Sequence, residues 1–190
     1  NGALSAQIKT EGGPAAAIAT DSRGGVHIST YKVDWNSRSQ VFYLERLPSG
    51  QWQPLRSLDP GDGSGSVAIV VGPDDRTHLL WSEDRRGLFY QSRSANRVWG
   101  AREQIDGDTY TFDRRYLFVG PQGELVAVWN RRYTELYAVK QPGGVWGPPQ
   151  VAEEVAHAAA VDMDDMGTIH LITTNGAIGG DELRYRRISL

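Results

Sequence analysis

The residues best placed to do chemistry in this chain are three histidines and a set of charged and aromatic loop residues. His27, His78 and His170 recur at one position of a repeated unit, twice within the pattern Asp-x-x-Gly-x-x-His, as DSRGGVH and DDMGTIH. A ring of imidazoles can hold an ion. The second strand of a repeat unit lies away from any common axis, however, so we expect these histidines to be packed and hydrogen-bonded between units. No metal site and no cofactor are expected, and His157 falls outside the pattern. The loop residues that break the period are more suggestive: Asp34, Trp35 and Arg38, then Arg85 and Arg86, then Tyr110, Asp113, Arg114 and Arg115, and finally Arg131, Arg132 and Tyr133. Arginine forks bind carboxylates and sugar hydroxyls, and aromatic rings stack on sugar faces. We expect this set to form a ligand-binding face for a glycan or a partner protein. A solvated rim of charges fits the same residues equally well. Trp35 is the one tryptophan of six that stands off the repeat.

Such loops need a rigid frame, and the frame is legible as a repeat. Tyr43, Tyr90 and Tyr137 are 47 positions apart, and each precedes a tryptophan, Trp52, Trp99 or Trp146, by nine. A period of 20 to 50 residues marks a repeat architecture. Each unit reads as four short runs rich in Val, Ile, Tyr, Phe and Trp, broken by Gly, Pro, Asp and Asn turns. Four strands per unit predicts an all-β chain, a β-propeller with blades near 15–58, 66–105, 115–151 and 158–190. The fourth unit lacks its last strand and tryptophan. An offset of 143 positions maps Gln7 onto Gln150 and His27 onto His170, so residues 4–10 are expected to supply that strand and close a four-bladed ring. Half of an eight-bladed head-to-tail dimer, or part of a larger propeller, also fits. The recurring Tyr and Trp, with Trp81 and Trp129, are expected to fill the space between blades.

Composition narrows the function. With 20 basic and 23 acidic residues spread over 190, nothing suggests a nucleic-acid surface or a basic membrane patch. No cysteine is present, which removes disulfides, thiolate catalysis and cysteine-based metal sites. No apolar run reaches the length of a membrane-spanning helix. The chain opens on Asn1 rather than Met, as a processed or trimmed protein would. Glycine-rich phosphate loops, zinc spacings and Gly-x-Ser-x-Gly elbows are missing, and the run PGDGSGS from Pro60 reads as a connection between blades.

The Asp-x-x-Gly-x-x-His turns and the turns ending in tryptophan, ERLPSGQW, SRSANRVW and VKQPGGVW, resemble the sialidase-like, BNR-type β-propellers. Their aspartate box is degenerate here: tryptophan is kept in all three, Ser92 and Gly143 once each, and the aspartate never. The resemblance would imply three arginines on a substrate carboxylate, a tyrosine nucleophile with a carboxylate base, and an aspartic acid donor. Residue types for such a set exist in one arginine from each pair, Tyr133 or Tyr110, and Asp34 or Asp113. No motif ties any of them to a family position.

Together these readings favour a non-catalytic, lectin-like binding module, secreted, periplasmic or on a cell surface, monomeric or a head-to-tail dimer. A sialidase-like hydrolase or polysaccharide lyase fragment is the alternative, and an assembly domain of a larger surface protein is a third.

Overall fold

A computed structural model describes residues 16–33, 39–58, 64–83, 86–107, 114–154, 156–175 and 182–190. Among them no helix forms, and every regular element is a strand. The first sheet runs β1 (Ala16–Thr20), β2 (Val26–Val33), β3 (Ser39–Arg46) and β4 (Arg56–Ser57). The second has β5 (Ser64–Val71), β6 (Thr77–Glu83), β7 (Gly87–Arg93) and β8 (Glu103–Asp106). The third has β9 (Arg115–Val119), β10 (Leu125–Arg131), β11 (Thr134–Lys140) and β12 (Gln150–Glu153). The fourth holds β13 (Ala156–Met163), β14 (Ile169–Asn175) and β15 (Leu183–Ile188). Strands in each sheet follow chain order and pair antiparallel.

The fourth strand of each of the first three units is shorter than its sequence predicts. Trp52, Trp99 and Trp146 each make one isolated bridge, to Arg46, Arg93 and Lys140, before a separate two- to four-residue strand. In the first and third units prolines explain the break, because Pro54, Pro148 and Pro149 have no N–H for the ladder. Residues 4–10, expected to complete the fourth sheet, lie outside the described residues. Among those described, β15 pairs only with β14.

The sheets stack in series. β5 packs on β1, β2 and β3, β9 on β5 and β6, and β13 on β10 and β11. Alternation decides which side chains fill each joint. Val41, Tyr43, Ile69, Leu79, Trp81 and Phe89 lie between the first and second sheets. Leu80, Leu88, Tyr90, Leu117, Ala127 and Trp129 lie between the second and third. The middle sheets, covered on both faces, have β6 and nearly all of β10 buried. β15 is exposed along almost its whole length, with Leu183 and Tyr185 in solvent.

The tyrosine and tryptophan series is the joint itself. Trp99 meets Tyr43 of the preceding sheet edge-on at 5.0 Å between ring centroids, and Trp146 meets Tyr90 in the same way at 5.3 Å. A cation follows the same rule: Arg93 lies 5.3 Å from the Tyr43 ring and Lys140 5.4 Å from the Tyr90 ring. These are favourable aromatic and cation–π geometries.

Candidate functional site

The histidines bond mainly within their own sheets rather than between them. His27 Nδ1 lies 2.6 Å from the Tyr43 hydroxyl, His78 Nδ1 2.7 Å from Tyr90, and His170 Nδ1 2.7 Å from Tyr185. Across the sheets, Thr77 Oγ1 lies 3.3 Å from His27 Nδ1. In the first and fourth sheets the turn aspartate completes a chain. Asp21 Oδ2 is 3.3 Å from His27 Nε2, and Asp164 Oδ2 is 3.0 Å from His170 Nε2. That bond is the chief reason the Asp164 carboxyl is held below its usual range. A nitrogen facing a carboxylate carries the proton, so His27 Nδ1 accepts from Tyr43. Burial pushes the Tyr43 phenol up to about 12, as it does Tyr90, and both remain donors.

In the second sheet the aspartate is missing. Gly72 stands six residues before His78, where Asp21 stands before His27. His78 keeps its bond to Tyr90, and in the tautomer of His27, with Tyr90 donating to Nδ1, its Nε2–H is the group turned to the cleft. No described residue accepts from it. Burial lowers His78 to about 4, leaving a neutral imidazole over most of the pH range.

What this does to the space is visible by comparing two equivalent clefts. Between the first and second sheets, Asp21, His27, Glu45, Arg93 and Asp75 meet around a residual gap of about 20 Å³. Glu45 pairs with Arg93 at 2.9 Å and with Arg97 at 3.4 Å, while Asp75 accepts from the Ser22 N–H and hydroxyl, each at 2.8 Å. Asp75 has φ +57°, where Gly24 of the first sheet has φ +84°. Aspartate tolerates that left-handed conformation better than most residues, and here it gains the link to Ser22. Between the second and third sheets, Asp21 is replaced by Gly72, Glu45 by Ser92, and Arg93 by the thinner Lys140. The cleft there opens to about 510 Å³.

The open cleft is lined by Gly72, Asp74, Arg76, His78, Ser92 and Glu103 of the second sheet, facing Lys140 of the third. Val119, Leu125 and two prolines, Pro73 and Pro142, supply apolar wall. Lys140 Nζ pairs with Glu103 Oε2 at 2.5 Å, and Arg76 Nε with Asp74 Oδ2 at 3.4 Å. Both signs are present in equal number, so the site provides donors and acceptors at no net charge. Among the described residues no cluster of three His, Cys, Asp or Glu could hold a metal ion.

The cleft opens at the end of the sheets that carries the β5–β6, β7–β8, β9–β10 and β11–β12 turns. The loops anticipated from sequence leave from the other end. Of that set, Asp34, Trp35, Arg38, Arg85, Tyr110 and Asp113 lie outside the described residues. Arg86 pairs with Glu83 at 3.2 Å, and Arg131 with Asp106 at 3.2 Å. Arg115 is buried and donates to the Arg114 carbonyl at 3.0 Å. Arg132 and Tyr133 form the β10–β11 turn with φ +49° and +70°, and Tyr133 is exposed. Neither Glu103 nor Lys140 stood out in the sequence. The signal available was the loss of the aspartate before His78, at a position where the other His-bearing units keep it.

No known family model matches the chain, and no curated protein matches its sequence. Solved structures do. An endo-arabinase from Bacteroides thetaiotaomicron is similar at TM-score 0.59 and 14% identity, over 98% of this chain and 80% of that one. An alpha-L-arabinofuranosidase from Podospora anserina, in complex with cellotriose, gives 0.55 and 13%, over 96% and 66%. A fucose-specific lectin from Aleuria aurantia gives 0.51 and 13%, over 90% and 59%. At such identity the likeness is one of fold, and it places the chain among all-β, propeller-like proteins.

Proposed function

We propose that this protein is a carbohydrate-binding module whose ligand sits in the cleft between the second and third sheets. The observation that carries the reading is the contrast between two equivalent clefts. One is filled by the chain's own side chains and the other is emptied of two of them while its histidine, tyrosine and cation, His78, Tyr90 and Lys140, are kept. A volume near 510 Å³ suits a small ligand. That fold neighbours include a lectin and two enzymes named for arabinan chemistry adds support. Binding is favoured over catalysis because Asp74 and Glu103 each sit against a cation. Glycosidic cleavage needs two carboxyls aimed at the scissile bond, and both carboxyls of the cleft are instead engaged in ion pairs with their neighbours.

A glycan array tests this with the wild type, His78→Ala and Lys140→Ala. Glycans retained by the wild type and lost by both variants support the cleft. Retention by both variants but not by Trp35→Ala moves the ligand to the loops with Asp34, Arg38, Tyr110 and Asp113, which the sequence analysis favoured. Silence on the array removes the carbohydrate reading, and release of reducing sugar from arabinan replaces binding with hydrolysis.

Two further parts belong to the same proposal. The resemblance of the turns to sialidase-like propellers and a secreted, periplasmic or cell-surface setting accord with a glycan ligand. Ring closure by residues 4–10 accords with β14 being the one strand that β15 pairs with among the described residues. In this cysteine-free chain, Gln7→Cys with Tyr185→Cys, the pair equivalent to Gln150 opposite Tyr137, tests it: a disulfide forms under mild oxidation if the ends share a sheet, and none forms otherwise.

A further inference from the structure

We infer that the cleft selects a neutral sugar, reading two of its hydroxyls through two donor–acceptor seats and rejecting acidic sugars; this rests on the carbohydrate reading above. The first seat is defined by the space that Gly72 leaves. The point where a Cβ on Gly72 would sit is 3.4 Å from His78 Nε2 and 3.0 Å from Asp74 Oδ1. A ligand oxygen cannot take that point itself, being too close to the Gly72 Cα, but one resting against the Cα just beyond it has the His78 imidazole and the Asp74 carboxylate as its neighbours. It must accept from the imidazole N–H and give a proton to the carboxylate, and a hydroxyl does both. A ligand carboxylate has no proton to give and would face Asp74 at close range. A ligand ammonium cannot accept from His78.

The closed cleft shows what an anion-accepting version of the seat looks like in this protein. There Asp21 places its own carboxylate on His27, and the residue two further on is Arg23. In the open cleft the same two positions are Gly72 and Asp74. Removing the internal acid while turning the neighbouring arginine into an acid empties the seat and makes it hostile to a replacement anion. The second seat repeats the chemistry with Lys140 as donor and Glu103 as acceptor. The Lys140 ammonium has three protons, of which Glu103 takes one, so a hydroxyl bridging the pair keeps both satisfied. Two such seats on one cleft match the spaced hydroxyls of a sugar ring better than a lone alcohol. Val119, Leu125 and the prolines offer its C–H face an apolar wall.

Saturation-transfer NMR and calorimetry with two panels test the inference. One panel holds methyl glycosides of arabinose, glucose, galactose, mannose and fucose, and the other holds glucuronate, galacturonate and N-acetylneuraminate. The expected result is binding from the neutral panel only. Asp74→Arg, which restores the arginine of the closed cleft, should weaken the neutral ligand at least tenfold and admit a uronate. Asp74 is exposed, and an unchanged melting temperature confirms that the variant folds. Uronates binding the wild type as tightly as neutral sugars, or a neutral ligand indifferent to both Asp74→Arg and His78→Ala, overturns the inference and leaves a carbohydrate module standing. Failure of both panels overturns the carbohydrate reading itself.

Discussion

Gly72→Asp is the sharpest single perturbation, because the protein already contains the structure it should produce. The added Cβ would lie 3.4 Å from His78 Nε2, an ordinary contact, and 3.0 Å from Asp74 Oδ1, which must yield a few tenths of an ångström. Asp74 is exposed and can do so. Gly72 has no left-handed φ, so the backbone accepts a side chain without strain. The new carboxylate should accept a hydrogen bond from His78 Nε2 as Asp21 accepts one from His27. Three consequences follow with magnitudes. An acid at hydrogen-bond distance raises a histidine by about 1 to 3 pH units, so His78 should move up from about 4 toward the neutral range. Stability at pH 7 should change by no more than about 1 kcal/mol, since a cleft-edge pair contributes little and the contact with Asp74 costs a similar amount. Ligand binding should fall at least tenfold, about 1.4 kcal/mol, because the side chain occupies the first hydroxyl seat. Imidazole titration by NMR, chemical denaturation and calorimetry read the three separately, with Gly72→Ala as the control that adds bulk without charge. Unchanged titration of His78 in a folded Gly72→Asp protein would refute the equivalence of the two clefts, and undiminished binding would refute the location of the ligand.

Other outcomes follow from the same joints. His78 is neutral in the folded chain down to about pH 4 but titrates near 6.5 when unfolded. The unfolded state therefore binds more protons in that window, and stability that is complete above pH 6.5 should decline by about 3 kcal/mol as pH falls to 4. His78→Phe should flatten that part of a denaturation series between pH 7 and 4.5, and a slope unchanged in the variant would contradict it. Tyr43→Phe removes the donor to a buried His27 and the acceptor of Arg93, at a cost of about 1 to 3 kcal/mol. Tyr185→Phe breaks the same bond to His170 at a site 61% exposed, against 4% for Tyr43, and should shift stability by less than about 0.5 kcal/mol. Equal losses in the two variants would deny that the joint, rather than the histidine–tyrosine bond, carries the energy. Glu83 is buried and holds Trp81 Nε1 at 3.1 Å and Arg102 at 2.6 Å. Glu83→Ala should cost about 3 to 5 kcal/mol by denaturation, since it strands Arg102 over the Trp81 and Phe89 rings; a cost under 1 kcal/mol would show that the network is dispensable.

The frame was legible because packing repeats wherever sheets repeat. A 47-residue spacing of Tyr and Trp exists because each Trp must land on the Tyr of the sheet before it, and burial enforces both at every joint. Strand positions followed from alternation and turn residues. The outer strands were overestimated where bridges and prolines interrupt them, since β-rich composition does not reveal which N–H groups find partners. The site was harder to read, for a physical reason. Arginines 86, 115 and 131 looked available because charge and loop position are visible in a sequence, whereas the carboxylates and carbonyl that hold them are assembled only by folding.

The cleft was written in the sequence as subtractions. Gly72, Ser92 and Lys140 are smaller or thinner than Asp21, Glu45 and Arg93, and nothing about a glycine or a serine advertises chemistry by itself. Each becomes informative only when two repeats are superposed and the missing side chain is seen to have been a plug. In a repeat protein the equivalent position in a neighbouring unit states what close packing requires there, so a unit that departs toward smaller side chains while keeping its hydrogen-bonding groups has exchanged packing for an opening. His78 makes that argument specific. An imidazole that keeps its tyrosine but not its aspartate turns its second nitrogen to the cleft, where a bound hydroxyl can take the place that the aspartate holds in the first and fourth sheets. That asymmetry, absent from the first and fourth sheets, separates the cleft between the second and third sheets from a packing flaw.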